Sequence, residues 1–285
     1  MKLVLKKSNE TLSKKLNVSR RDIPCFDVAW HYHPEFELIY ITKSNGLRFV
    51  GDSVSPFHPG DLVLVGAYLP HLWRNDASYY EEGSEEHVET IITKFKKDFL
   101  GPEFFQIPEF NEINKLLGES KFGICFGKSV SEKLHDELVN LPSLTPVEQH
   151  IQLLSILQKL SRTKDITILS SSDMRQSTTE SSERIDNVLR FISDKYATNI
   201  GLNDVADVAC MTTNSFCRFF KKTTNKSFTQ FLNEVRIRNA SRLLVQEDTS
   251  VSSVCYAVGY NSITNFNKQF KQIMGVTPKA FRDEI

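Results

Sequence analysis

Cysteine is scarce in this chain of 285 residues: there are five, at positions 25, 125, 210, 217 and 255, and no two form a CxxC pair. That usage excludes a disulfide framework and fits free thiols in a reducing cytosol. No stretch reaches the roughly 18 consecutive apolar residues that a membrane helix requires. Met1 to Lys15 carries charges every few residues and lacks an apolar run of signal-peptide length. Neither a membrane span nor a secretion signal is therefore expected, and the reading is cytoplasmic. Net charge is also missing, with 35 Lys plus Arg against 35 Asp plus Glu. The balance hides an asymmetry. From Glu183 onward 14 Lys plus Arg face 10 Asp plus Glu, a surplus of four that leaves the remainder four short. The C-terminal part is thus the one suited to phosphate. A 40% apolar and 25% charged composition over this length excludes wholesale disorder and allows two domains with real cores.

What the chain does contain is one short pattern written twice. The first copy runs Leu202, Val205, Ala206, Ala209 and Met211, then Phe216, Phe219 and Phe220; helical spacing is broken by a turn rich in Thr and Asn. Thr212 or Thr213 is the expected N-cap of the second helix, over roughly Thr213 to Lys222. The second copy runs Val251, Val254, Cys255 and Val258, then Gly259, Tyr260 and Ser262, with Phe266 and Phe270 on an inner face. Gly259 suits the left-handed residue that ends a helix. The period is roughly 50 residues, and two copies make a paired reader. Between them Phe228 to Val245 has the spacing of one continuous helix, about 27 Å long. With its turns it sets a separation close to one turn of B-DNA, roughly 34 Å.

Residues 184 to 282 resemble the DNA-binding domain of the AraC/XylS family of bacterial transcription regulators. The resemblance rests on Gly259-Tyr260-Asn261-Ser262 through Phe266, then Phe270-Lys271, Gly275, Thr277-Pro278 and Phe281-Arg282. Asn225 stands where the first unit of that family has glycine; asparagine tolerates left-handed dihedrals, so the turn is expected to survive. Cys217 is a second departure, a small thiol where longer polar side chains are usual.

The N-terminal part reads differently. Trp30 to Thr42, Leu47 to Gly51, Asp61 to Val65 and His87 to Phe95 are rich in aromatic and β-branched residues, and Asn45-Gly46, Pro56, Pro59-Gly60 and Glu82-Gly83 mark turns between them. Many short strands at this spacing predict a barrel or jelly roll. On a strand, His31, His33 and Glu37 share one face. His71 brought opposite them would complete three imidazoles and one carboxylate, a set suited to a divalent transition metal. The HxHxxxE spacing and the later Pro70-His71 with Asn75 resemble the two cupin motifs, and also the N-terminal effector domain of many AraC-type regulators. The other reading of the same four residues is hydrogen bonding within a pocket that takes an organic effector. Tyr32, Tyr40 and Trp73 are candidate stacking residues for such an effector.

From Pro108 to Arg162 the pattern turns helical. Phe110, Ile113, Leu116 and Leu117 form one stripe, and Val130, Leu134, Leu138 and Leu141 a second. A third helix after Pro146 carries Val147, Ile151, Leu153, Leu154, Ile156, Leu157 and Leu160, apolar over more than half its circumference. The resemblance implies a homodimer seam there. Thr163 to Ser182 is Ser/Thr-rich and reads as a flexible linker. The expected organisation is a cupin-like effector barrel over 1–107, a helical dimerisation segment over 108–162, a linker over 163–182 and an all-α double helix-turn-helix domain over 183–285.

The expected partners are double-stranded DNA and a small-molecule effector, with RNA polymerase a further candidate. For base readout the exposed positions are Asn214, Cys217 and Arg218 on the first recognition helix and Ile263, Thr264, Asn267 and Lys268 on the second. Arg218 has the planar fork that matches guanine O6 and N7. Lys221, Lys222, Lys271 and Arg282 are read as phosphate contacts. No catalytic constellation stands beside the candidate metal ligands, so the reading is a regulator and no enzyme. The alternatives are a metal-sensing regulator or a metal-dependent cupin enzyme joined to a DNA-binding domain.

Overall fold

The structure is a computed structural model that describes residues 15–174, 182–245 and 249–283. The charge pattern read before Lys15 and the linker residues 175–181 lie outside the described residues. The chain divides into two compact units, one made of most of the chain up to Ser177 and the other of the chain from Thr178 together with Val54–Pro56.

Every named strand lies between Leu16 and Ile168. A six-stranded sheet has the order β1 (Leu16–Ile23), β7 (Val88–Phe95), β2 (Phe36–Lys43), β5 (Leu62–Val65), β8 (Ile124–Phe126) and β9 (Ile166–Ile168), each neighbour antiparallel to the next. A three-stranded sheet has the order β4 (Ser53–Phe57), β3 (Gly46–Val50) and β6 (His71–Asn75). The expected barrel is corrected to two open sheets. No edge strand of one sheet pairs with an edge strand of the other, because β8 and β9 carry the large sheet past β5 while β6 pairs with β3. A single bridge between His31 and His71 lies outside the named strands.

Strand β2 is the centre of this unit, and Phe36 to Ile41 are all buried. Side chains alternate across a strand, so Ile39 and Ile41 enter the core between the sheets with Val50, Phe57, Val65, Trp73 and Val88. Leu38 and Tyr40 enter the core on the other face, against α1 (Asn111–Glu119) and α4 (Pro146–Arg162). Each fully buried Leu or Ile contributes roughly 1.5–3 kcal/mol there. An ion pair also joins the sheets, from the buried Arg48 on β3 to the half-buried Asp61 just before β5.

Three readings of this half change in the structure. The strand expected from Trp30 begins only at Phe36, since Pro34 lacks the N–H that a ladder needs. The helical stretch after Pro108 is interrupted by β8, and its second stripe divides at Leu134 into α2 (Lys128–Lys133) and α3 (His135–Asn140). Within the expected linker, Ile166–Ile168 pairs with β8, and Ser170 and Ser171 donate to the buried carboxylate of Asp52. That half of the segment is anchored structure, because Asp52 needs those donors once it is buried.

Beyond Val54–Pro56 the second unit is all helical: α5 (Ser182–Lys195), α6 (Leu202–Val208), α7 (Thr213–Thr224), α8 (Phe228–Leu244), α9 (Val251–Ala257), α10 (Ile263–Met274) and α11 (Pro278–Asp283). Helix α5 buries Ile185, Val188, Leu189 and Ile192, one stripe at helical spacing. The pairs α6–α7 and α9–α10 repeat the same design, seven residues followed by twelve. Left-handed residues punctuate both copies at matching places. Asn225 (φ 58°) and Gly275 (φ 82°) end the longer helices, and Cys210 (φ 51°) and Gly259 (φ 88°) form the turns.

The two pairs are locked through α8. Arg236 donates to the carbonyls of Tyr196 (2.7 Å) and Thr198 (2.8 Å), and its guanidinium lies 5.5 Å from the centre of the Tyr260 ring. Tyr260 donates to Asn233 Oδ1 at 2.8 Å. Gly259 is packed so closely that a Cβ would stand 2.7 Å from the Ala197 carbonyl oxygen. Gly259→Ala therefore meets both a contact and a forbidden φ, and is expected to cost roughly 1–3 kcal/mol. Hydrogen exchange of the full chain should show faster exchange across α9 and α10; unchanged protection there would contradict the close packing at Gly259.

Candidate functional site

Each recognition helix is built by the same local chemistry. Thr212 caps α7 by accepting from the Ser215 N–H, and Ser262 caps α10 by accepting from the Asn265 N–H, both at 3.4 Å. Phe216 and Phe220 on α7, and Phe266 and Phe270 on α10, are fully buried at four-residue spacing. Burying that edge fixes which side of each helix faces water. Phe219, expected inside, is only half-buried.

All seven positions read as base contacts are exposed: Asn214, Cys217 and Arg218 on α7, and Ile263, Thr264, Asn267 and Lys268 on α10. Lys221, Lys222 and Lys271 are exposed beside them. Arg282 is exposed too, but it donates to the Thr249 carbonyl at 2.9 Å and so also braces the segment leading into α9. Cys210 falls where the turn of the first unit is read, around Cys210 to Thr213, but its left-handed φ is not signalled by a thiol; it holds the place that Gly259 holds in the second copy.

A second polar centre lies in the N-terminal unit. His31, His33, Glu37 and His71 each offer a ligand atom, and the four atoms lie within 4.8 Å of one another. Glu37 comes from β2 and His71 from the first position of β6, whereas His31 is held by its bridge to His71 and His33 sits just before Pro34. Each imidazole places Nδ1 against a backbone carbonyl: His31 with Ala29 (2.8 Å), His33 with Glu35 (3.1 Å) and His71 with Leu69 (2.8 Å). With the proton on Nδ1, every Nε2 becomes a lone pair. Such outer hydrogen bonds set the tautomer of metal-binding histidines.

Glu37 is the hub of the cluster. Its Oε2 lies 2.5 Å from His33 Nε2, 3.5 Å from His71 Nε2 and 2.9 Å from Lys94 Nζ. Burial alone would raise the Glu37 pKa, but the close contacts with His33 and His71 and the Lys94 charge hold it well below the usual carboxylate range. Burial depresses His31 well below the ordinary imidazole value, with the neighbouring His71 adding to the effect. Burial also lowers His71, against the opposing pull of Glu37. His71 Nε2 and Trp73 Nε1 are buried without a hydrogen-bond partner.

The three aromatic residues expected around an effector separate. Trp73 lines the pocket beside His31, His71, Phe26 and Lys94. Tyr40 does not: it occupies the opposite face of β2, where its hydroxyl meets His135 Nδ1 at 2.8 Å. The same alternation that groups Glu37 with Ile39 excludes Tyr40. Tyr32 packs near Tyr68, with ring centres 6.4 Å apart, and does not line the pocket. Lys94 was not identified from the sequence, because only the β2–β7 register places it opposite Glu37.

Comparison with known proteins agrees with the C-terminal geometry. Residues 205–284 match the family described as "Helix-turn-helix domain". The chain is similar to the "Uncharacterized HTH-type transcriptional regulator YdeC" of Bacillus subtilis (strain 168), 23% identical over 90% of this chain and 86% of that protein. It is similar to the "HTH-type transcriptional activator RhaS" of Escherichia coli O1:K1 / APEC, 23% identical over 91% of this chain and 89% of that one. Among solved structures, apo ToxT from Vibrio cholerae covers 95% of this chain and 98% of its own at 15% identity, with a TM-score of 0.36. These relatives are transcriptional regulators and not enzymes. Twin capped helix pairs and a match to the helix-turn-helix family over residues 205–284 agree with the similarity, over nine-tenths of the chain, to DNA-binding transcriptional regulators of the helix-turn-helix type.

Proposed function

We propose that α7 and α10 enter successive major grooves on one face of the duplex, joined by the 17-residue α8, which is about 26 Å long. The observation that carries this reading is the repeated design: two twelve-residue helices, each with its aromatic edge buried and its polar edge exposed. Arg218 reads a guanine, Ile263 meets a thymine methyl, and Asn214, Thr264, Asn267 and Lys268 contact base edges, with Cys217 filling the remaining groove-facing position of α7. Lys221, Lys222, Lys271 and Arg282 set register on phosphates. RNA polymerase is the partner proposed for the output step, in the cytoplasm, where five free thiols persist.

The N-terminal unit serves in this reading as a cupin-like sensor, and its signal binds at the pocket around Glu37. The chain forms a homodimer through α4. Val147 and Ile151 support that seam, since both stay more than 60% exposed while Leu153, Ile156, Leu157 and Leu160 are buried on the other edge of the helix. A divalent transition metal as the signal is favoured by one observation in particular, the three Nδ1–carbonyl contacts that leave three Nε2 lone pairs around an ionised carboxylate. The orphaned His71 Nε2 fits the same ligand set. His31, His33, Glu37 and His71 would hold the ion, and the ion would supply the positive charge that binds this cluster together.

Two outcomes follow. Arg218→Ala is expected to cost about 1–3 kcal/mol and relax preference at one base pair, whereas Lys271→Ala weakens all sequences alike and lowers the salt dependence. Binding-site selection with each variant checks this, and a uniform loss for Arg218→Ala would remove it from base readout. For the pocket, equilibration with zinc, nickel, cobalt or manganese followed by elemental determination should find about one ion per chain. That ion should be lost in His33→Ala and Glu37→Ala. A chain that takes no ion leaves the organic-effector reading in its place.

A further inference from the structure

The pocket around Glu37 already holds a cation of its own. Lys94 stands directly across from Glu37 in the β2–β7 register, and its Nζ lies 2.9 Å from Oε2, the same oxygen that approaches His33 and His71. The ammonium therefore meets the carboxylate at the atom where the imidazole nitrogens gather. A divalent ion bound by Glu37 and these histidines would sit within a few ångströms of that ammonium. A single and a double positive charge at about 4 Å repel by several times thermal energy even at the high effective dielectric of a protein surface. The two cations cannot share the site.

The burial of the pair tells which cation can move. The Glu37 side chain is 5% exposed, whereas that of Lys94 is 23% exposed. Its four-carbon stem is flexible, and its ammonium is strongly hydrated once released. Leaving for water is open to Lys94 and closed to Glu37. In the absence of any other cation the Lys94 charge also keeps a buried carboxylate from standing uncompensated. It thereby stabilises the empty form of the site.

Resting on the metal reading given above, we propose that Lys94 is a built-in competitor for Glu37: a divalent transition metal binds only as the Lys94 ammonium leaves. Lys94 thus sets the affinity of the site, and its position, inside or outside, records occupancy. A lysine that merely neutralises a structural carboxylate would stay in place whatever ion is added.

Cobalt(II) titration of the full chain, followed by its visible absorption bands, tests this in wild type, Lys94→Met and Lys94→Arg. Lys94→Met should bind cobalt at least about tenfold more tightly than wild type, while Lys94→Arg, which keeps the charge, stays near wild type. Equal or weaker binding by a folded Lys94→Met overturns the role of Lys94 and leaves the metal reading standing. No cobalt bound by any of the three overturns both. Wild type alone provides an independent test should Lys94→Met not fold. Acetylation of Lys94 by acetic anhydride, measured by mass spectrometry, should be several-fold faster with zinc present than with magnesium. An unchanged rate with zinc bound overturns the proposal.

Discussion

The geometry of the C-terminal unit depends on one small lock. Arg236 reaches from α8 to the carbonyls of Tyr196 and Thr198, and Gly259 packs closely against the Ala197 carbonyl. Three successive carbonyls at the end of α5 are thus contacted by the connecting helix and by the turn of the second helix pair. A guanidinium suits the task because its planar fork donates in two directions at once. With that lock in place α7 and α10 are carried on one rigid frame, and a paired reader needs such a frame because half-site spacing is a geometric quantity.

The N-terminal unit depends in a similar way on a single carboxylate. Glu37 is buried at the centre of the large sheet, and such a charge is tolerated only when it is paired and hydrogen-bonded. The β2–β7 register supplies Lys94, the His31–His71 bridge brings His71, and the turn at Pro34 brings His33. A backbone carbonyl orients each imidazole, so the cluster holds its shape through contacts outside itself. On the other face of β2 the core against α1 and α4 is built from apolar side chains, with the Tyr40–His135 hydrogen bond beside it.

Much of this was legible in the sequence where a short-range period encodes it. Helical spacing of Phe216, Phe220, Phe266 and Phe270 is enough to find both helix pairs, and asparagine at 225 takes the left-handed turn expected of it. The His–Glu spacing also pointed to four residues that the fold brings together, though by an imperfect route, since His31 and His33 do not lie on a ladder strand with Glu37. Tyr40 was misplaced because its aromatic character outweighed its even position on the strand. Lys94, the Asp52 anchor for Ser170 and Ser171, and strands β8 and β9 depend on pairing between distant segments. No local pattern carries such a register. The open sheets follow from the same cause, because barrel closure is decided by which edges meet.

Hydroxyl-radical footprinting of the full chain on a selected genomic site tests most directly whether the locked frame reads DNA with both helices. Two protected patches on one face of the duplex, separated by about 10 base pairs, are the expected result, with the patch under α7 lost in Arg218→Ala and the patch under α10 lost in Asn267→Ala. A single patch that survives either substitution would contradict a reader in which α7 and α10 enter successive grooves together.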